Sequence, residues 1–223
     1  MPDCLICDKP MREDGSRNYR RTTYWFWCDE CEFGQVDPMP SEKFLAEYYK
    51  LQYRKDTHDH RKMGIEYDGK PGEWNYHEEE ERGKGWLDYV DYPRSHLDIG
   101  SSTGKVLEVI GAEVQVGVEA GTWGEAYECY PSMEHITRQY DLVTCLHTLE
   151  HVNNPIRLLR QIKWVALKQV CIEVPQPVMR QWPHLLDFRN RSLLLAMERA
   201  DMPAEIVEDA YHIKARHECE YLF

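Results

Sequence analysis

The sequence predicts an α/β fold: a doubly wound, mostly parallel sheet with an antiparallel last strand, preceded by a small metal-bound ribbon. Three observations predict it. The runs Leu142-Val143-Thr144-Cys145-Leu146 and Val170-Cys171-Ile172-Glu173-Val174 are almost wholly apolar, as in strands buried on both faces of a parallel sheet. Between them Ile156, Leu159, Ile162 and Val165 keep helical spacing, with Pro155 suited to a first helical turn. Four of the eight cysteines fall within the first 31 residues, as two Cys-x-x-Cys pairs.

Taken in order, residues 1–40 are rich in cysteine, aromatic and turn residues and close on Asp37-Pro38-Met39-Pro40. Cys4, Cys7, Cys28 and Cys31 are spaced Cys-x2-Cys-x20-Cys-x2-Cys, which brings four thiolates to the corners of a tetrahedron, as structural zinc requires. Two knuckles joined by a hairpin through Tyr24-Trp25-Phe26-Trp27 are expected, and a closed four-cysteine site leaves no position for catalysis. So short a segment has little core of its own and draws its folding free energy from the metal. Residues 41–92 form a polar helical linker or lid, with Ser41 as N-cap and Tyr48, Tyr49, Tyr53, Trp74 and Tyr76 available to cover a crevice.

Residues 93–223 alternate between strand and helix. Strands are expected at His96–Ile99, Val114–Val118, near Tyr127–Tyr130, at Leu142–Leu146 and at Val170–Val174. Helices are expected at Lys105–Ile110, around Pro155–Val165 and at Ser192–Met202, and Glu205–Val207 is expected to pair with Glu218–Leu222 as an antiparallel edge. Such alternation winds a parallel sheet in both directions from its first strand.

Composition narrows the function. Of 223 residues, 27 are Lys or Arg and 39 Asp or Glu, a net charge of −12, which argues against a chain devoted to nucleic-acid phosphates. With 42% hydrophobic residues and no long apolar run, the chain builds a core but no membrane span. The start, Met-Pro-Asp-Cys, shows neither a basic nor an apolar leader region, so a reducing cytoplasm is the expected compartment.

Chemistry concentrates at Leu97-Asp98-Ile99-Gly100-Ser101-Ser102-Thr103-Gly104, where a first strand turns into a first helix. Glycines there let the backbone approach a ligand, and the loop lacks the lysine of a phosphate-binding loop. Glu119 ends the next strand, 21 positions after Asp98, where a carboxylate can accept both hydroxyls of a ribose.

These residues, with Tyr140 to Val152 and Cys171-Ile172-Glu173-Val174-Pro175, resemble the successive motifs of class I S-adenosylmethionine-dependent methyltransferases. The branch most similar holds ubiquinone-biosynthesis O-methyltransferases and bacterial sugar methyltransferases, many of which carry a zinc-ribbon head like residues 28–53 and a segment like His184–Phe188. The resemblance implies a Rossmann-like domain binding S-adenosylmethionine at Asp98, Gly100, Ser101, Gly104, Glu119, Ala120, Leu146 and His147. Two departures stand out: Ser102 replaces a usual glycine, and only Gly121–Ala126 separate Glu119 from the next strand, where the family has a full helix. A more open adenine site is expected, with Trp123 a candidate to stack on it.

The expected reaction is methyl transfer to oxygen of a small acceptor, a sugar or other hydroxylated metabolite. Sugar C-methyltransferases with such a head usually carry a large further C-terminal domain, whereas this chain ends at Phe223, so O- or N-transfer is expected over C-transfer. A hydroxyl acceptor must lose its proton, and His151, His147 and His184 are the candidate catalytic bases, in that order. The four-residue spacing of His147 and His151 also permits a metal, but no further motif calls for one there. The competing reading is a zinc-ribbon adaptor whose methyltransferase-like domain is inactive.

Overall fold

A computed structural model describes residues 1–17, 23–51, 53, 73–121, 127–175, 183–207 and 212–219. Two sheets organise them. The ribbon contributes β1 (Arg12–Arg17), β2 (Tyr24–Cys28) and β3 (Phe33–Asp37), all antiparallel. The aromatic run expected to bridge the knuckles is thus itself a central strand, paired on both sides.

Two helices follow among the described residues, α1 (Glu42–Leu51) and α2 (Glu73–Lys84). Ser41 caps α1 as expected, its Oγ accepting from the Phe44 N–H at 3.2 Å.

The larger sheet is built from β4 (Ser95–Ile99), β5 (Val114–Val118), β6 (Glu128–Tyr130), β7 (Tyr140–Leu146), β8 (Ala166–Pro175), β10 (Glu205–Val207) and β11 (His212–Glu218). Its order is β10-β11-β8-β7-β4-β5-β6, parallel from β8 to β6 and antiparallel beyond β8. The chain leaves β4 towards β6, then returns to place β7 on the other side of β4. That reversal opens a crevice at the carboxyl ends of β4 and β7. All seven residues of β7 are buried, as its apolar run predicts.

Helices α3 (Lys105–Ile110), α4 (Pro155–Val165) and α5 (Asn190–Arg199) pack on this sheet. Asn154 caps α4 with its side chain on the Arg157 N–H, and Pro155 opens the helix. Two expectations shift. α5 begins before Ser192, because that hydroxyl accepts from the Arg189 N–H at 2.8 Å and so closes a capping box one turn in. The edge pairing uses β11 rather than Glu218–Leu222, since Ile213 and Ala215 present the buried face against β8; residues 220–223 lie outside the described residues.

Between β8 and α5, a two-residue strand, β9 (Leu186–Asp187), leaves the larger sheet and pairs with β3, Gly34 opposite Asp187 and Gln35 opposite Leu186. The Phe33 and Phe188 rings meet at 5.0 Å, and one buried cluster runs from Cys4 and Trp25 through Leu185 and Phe188 to Leu97 and Val143. The described residues of 1–40 and the segment 183–188 therefore share a sheet and a core. Among the described residues, no helix is long and apolar enough to cross a membrane.

Candidate active site

The crevice has two rims. On the first, the turn after β4 needs glycine twice. A Cβ on Gly100 (φ +77°) would run into Thr148 Oγ1, and one on Gly104 (φ +80°) would run into the Tyr127 ring. Thr148 follows β7, so the Gly100 contact stitches the two rims together. Gly100 N–H bonds Val118 O at 2.7 Å, while Glu119 accepts from the N–H of Ser102 at 3.1 Å and of Gly121 at 2.8 Å. The Tyr127 hydroxyl supports the turn from beneath, donating to Ser102 O at 3.0 Å and lying 3.1 Å from Ser101 Oγ. The Thr103 hydroxyl donates to Glu79 of α2, whose carboxyl burial pushes up.

Asp98 lies fully buried at the base of this turn. Its Oδ1 accepts from Thr144 Oγ1 at 2.6 Å, and Thr144 in turn lies 2.8 Å from His96 Nε2. Thr144 has one proton and spends it on Asp98, so Nε2 of His96 is the protonated nitrogen. Burial pushes Asp98 up to about 7 and His96 down to about 3. A buried carboxyl held this high gains most from a cation arriving beside it, which fits the ammonium of an amino-acid moiety.

On the second rim, β7 ends at the buried Leu146, and His147 turns the chain with φ +51°, an uncommon value for a residue other than glycine. Its N–H bonds Glu173 O at 2.8 Å, and its Nε2 lies 3.1 Å from Glu173 Oε1. Glu173, fully buried at the end of β8, is answered by Trp86 Nε1–H at 2.9 Å and by Arg82 and Lys214 at 3.7 and 3.8 Å. Three cationic or N–H groups around one carboxylate repay its burial.

A single 3-10 turn, Leu149–His151, comes next. His151 Nδ1 lies 3.3 Å from Pro183 O, and its ring centroid lies 4.8 Å from that of His184. Burial holds His151 well below the usual histidine range and lifts Glu150 to about 8. From α1, Tyr49 reaches the same place, its ring 6.0 Å from His151 and 5.0 Å from Tyr53. Glu150, His151 and His184 hold their donor atoms within 4.8 Å of one another, a set able to take a metal ion.

Of the residues singled out from sequence, Asp98, Gly100, Ser101, Gly104, Glu119 and Ala120 lie along the first rim, Leu146 and His147 on the second, and His151 with His184 beyond it. Trp123 and the side chains of Trp74 and Tyr76 lie outside the described residues. Sequence reasoning passed over Thr144, Tyr127, Glu79 and Glu173. Only Glu173 carried a signal, a charge inside the otherwise apolar run Val170–Val174.

Cys4, Cys7, Cys28 and Cys31 form a second candidate centre, all four sulfurs within 4.8 Å of one another. The closest pairs run between knuckles, Cys4 to Cys31 at 3.5 Å and Cys7 to Cys28 at 3.4 Å. A tetrahedral zinc with bonds of about 2.3 Å needs sulfurs about 3.8 Å apart, so the four thiols fit the ion. Cys4 is held down to about 5, chiefly by the bond from Cys31, as in a pair sharing one proton.

Among curated protein sequences, none matches this chain. Among solved structures, the magnesium protoporphyrin IX methyltransferase of Synechocystis PCC 6803 with bound S-adenosylhomocysteine superposes with a TM-score of 0.56 at 10% identity, covering 81% of this chain and 100% of that one. The mitomycin 7-O-methyltransferase gives 0.51 at 13% identity over 66% of this chain, which spans 55% of that enzyme. These likenesses speak for the fold. Residues 76–200, over half of the sequence, match the family described as a methyltransferase domain. On this sheet, with that match, the chain belongs to the S-adenosylmethionine-dependent methyltransferases.

Proposed function

We propose that this protein methylates a hydroxyl of a small metabolite, a sugar or similar acceptor, in the cytoplasm, with His147 as the general base and structural zinc in the four-cysteine head. The observation that carries the reading is the contact of His147 Nε2 with the buried Glu173 carboxylate at 3.1 Å, just past the end of β7. A buried carboxylate facing Nε2 fixes the tautomer of the neutral ring and puts the proton-accepting lone pair on Nδ1. His151, expected first from sequence, is less suited, because burial opposes its charging.

S-adenosylmethionine, when bound, supplies a methyl group already activated on a sulfonium. The chain's own residues then bind and orient. Asp98 and the glycine turn take the amino-acid end, and Glu119 takes the ribose hydroxyls in exchange for its contacts with the Ser102 and Gly121 amides. The name of the mitomycin 7-O-methyltransferase supports an oxygen acceptor, and the net charge of −12 speaks against nucleic acid.

The adaptor reading draws on one observation: both Glu119 oxygens already serve backbone amides. Calorimetry with S-adenosylhomocysteine decides between them, since an adaptor gives no binding heat. For the enzyme, His147→Ala is expected to lower kcat by ~10²–10⁴-fold, well beyond any loss of S-adenosylhomocysteine affinity at this position. Undiminished turnover would remove His147 from the chemistry.

A further inference from the structure

One buried side chain beneath the crevice has no part in the proposed reaction. His96 lies on β4, two residues before Asp98, and is fully buried. Residues two apart on a strand share a face, so the imidazole and the Asp98 carboxyl point to the same side of the sheet. Thr144 of β7, the parallel partner of Asp98, joins them. Its hydroxyl donates to Asp98 Oδ1 at 2.6 Å, and its oxygen accepts from the Nε2–H of His96 at 2.8 Å.

The other ring nitrogen, Nδ1, is buried without a hydrogen-bond partner among the described residues. A leucine of similar bulk would occupy this place with no polar group left unmet, so packing alone does not account for a histidine here. What the ring adds is one donor. Burial pushes His96 down to about 3 and keeps it neutral, so it cannot meet Asp98 as a cation and acts on it only through Thr144. Each donor in a chain of hydrogen bonds polarises the next, which strengthens the bond that Thr144 gives to the ionised form of Asp98.

We propose that His96, acting through Thr144, is a positioning residue that holds Asp98 ready to meet the ammonium of the cofactor as a carboxylate. The role rests on the placement of Asp98 against that ammonium. Other charges face this carboxyl. Glu79 of α2 and Glu119 after β5 oppose its ionisation, and Arg82 of α2 aids it. The Tyr127 hydroxyl and the Cys145 thiol of β7 stay uncharged, because burial pushes both up. Among the described residues, Thr144 is the group that hydrogen-bonds the carboxyl, and His96 stands directly behind it.

A proton on Asp98 must leave before the ammonium can pair with it. Cofactor affinity therefore rises with pH up to the range of the free carboxyl and is level above it. Loss of the His96 donor moves that range upward and weakens binding on the acid side alone, whereas a loss of packing weakens it at every pH.

S-adenosylhomocysteine binding to the full-length protein is measured by calorimetry from pH ~5.5 to pH ~8. Wild-type affinity should climb with pH and flatten above pH ~7. His96→Leu should bind about 3–10-fold more weakly at pH ~6 yet come within about twofold at pH ~8, a midpoint raised by ~0.5–1 unit. His96→Gln, whose side-chain N–H reaches about as far as Nε2, should stay within about twofold of wild type at pH ~6. Circular dichroism checks folding; if His96→Leu does not fold, Thr144→Val breaks the same chain one link on and must show at least the same acid-side loss. A folded His96→Leu or Thr144→Val that matches wild type at pH ~6, or that weakens equally at every pH, overturns the role of His96, as does a folded His96→Gln that behaves like His96→Leu. Wild-type binding that ignores pH removes the placement of Asp98 and His96 with it, and no binding at all removes the methyl-transfer reading.

Discussion

Replacing Asp98 with asparagine tests whether the first rim is built to receive a cation. In the cofactor-free protein, burial holds this carboxyl at about 7 instead of 3.8, against the one favourable bond from Thr144 and with Glu79 and Glu119 adding to the rise. Its folded pKa lies above its unfolded value. The stability it contributes is therefore complete below pH ~4 and is lost as pH rises through ~7. A rise of that size corresponds to at most ~4 kcal/mol over the window, and roughly half of it falls between pH ~5 and pH ~8. Asp98→Asn keeps the shape and still accepts from Thr144, but it cannot ionise. In urea unfolding at four values from pH ~5 to pH ~8, the variant should gain on the wild type by ~2 kcal/mol across the series and level off above pH ~7. S-adenosylhomocysteine should bind the variant more weakly at the alkaline end, where the ammonium has lost its counter-charge. A stability difference that stays flat with pH, together with equal cofactor affinity, would refute the assignment.

Two further outcomes are expected. Elemental analysis of Cys28→Ser should show about one zinc per chain fewer than wild type, with a lowered melting temperature, whereas an unchanged zinc content would remove the four-cysteine assignment. Glu119→Ala should weaken S-adenosylhomocysteine binding by about 1–3 kcal/mol by calorimetry, since it loses an acceptor for two hydroxyls and one tie to the Ser102 amide; unchanged affinity would place the ribose elsewhere.

Local order is what the sequence displays best. The helix Lys105–Ile110 falls where expected because Gly104 and Gly111 bracket it, both with positive φ. The strand Val114–Val118 likewise agrees at both ends. The helix expected from Ser192 starts two residues earlier as α5, because Ser192 is its third residue and closes a capping box with Arg189. The site is less legible, for its contacts cross the fold. Thr144 under Asp98, Glu173 behind His147 and His184 beside Glu150 each join residues from different elements. Periodicity tells which face a residue occupies but not which neighbour it meets there. Tyr127 shows the limit most plainly: nothing in its surroundings announces that its ring will fill the space against Gly104 and Gly117.

The strand that β9 lends to the ribbon has a bearing on how the chain comes together. Residues 34–35 and 186–187 pair across about 150 positions, so this small sheet has far longer contact order than its size suggests. During synthesis the cysteine knuckles emerge before β9, so four thiols able to hold a metal ion are present while the segment 183–188 is still unmade. The fourth strand arrives only after β8. A preformed three-stranded ribbon then acts as the template on which the segment 183–188 condenses, and His184 is carried into place with it. Zinc held by the four cysteines, as proposed, would steady that template, which ties the head to the methyltransferase domain through folding as well as through contact.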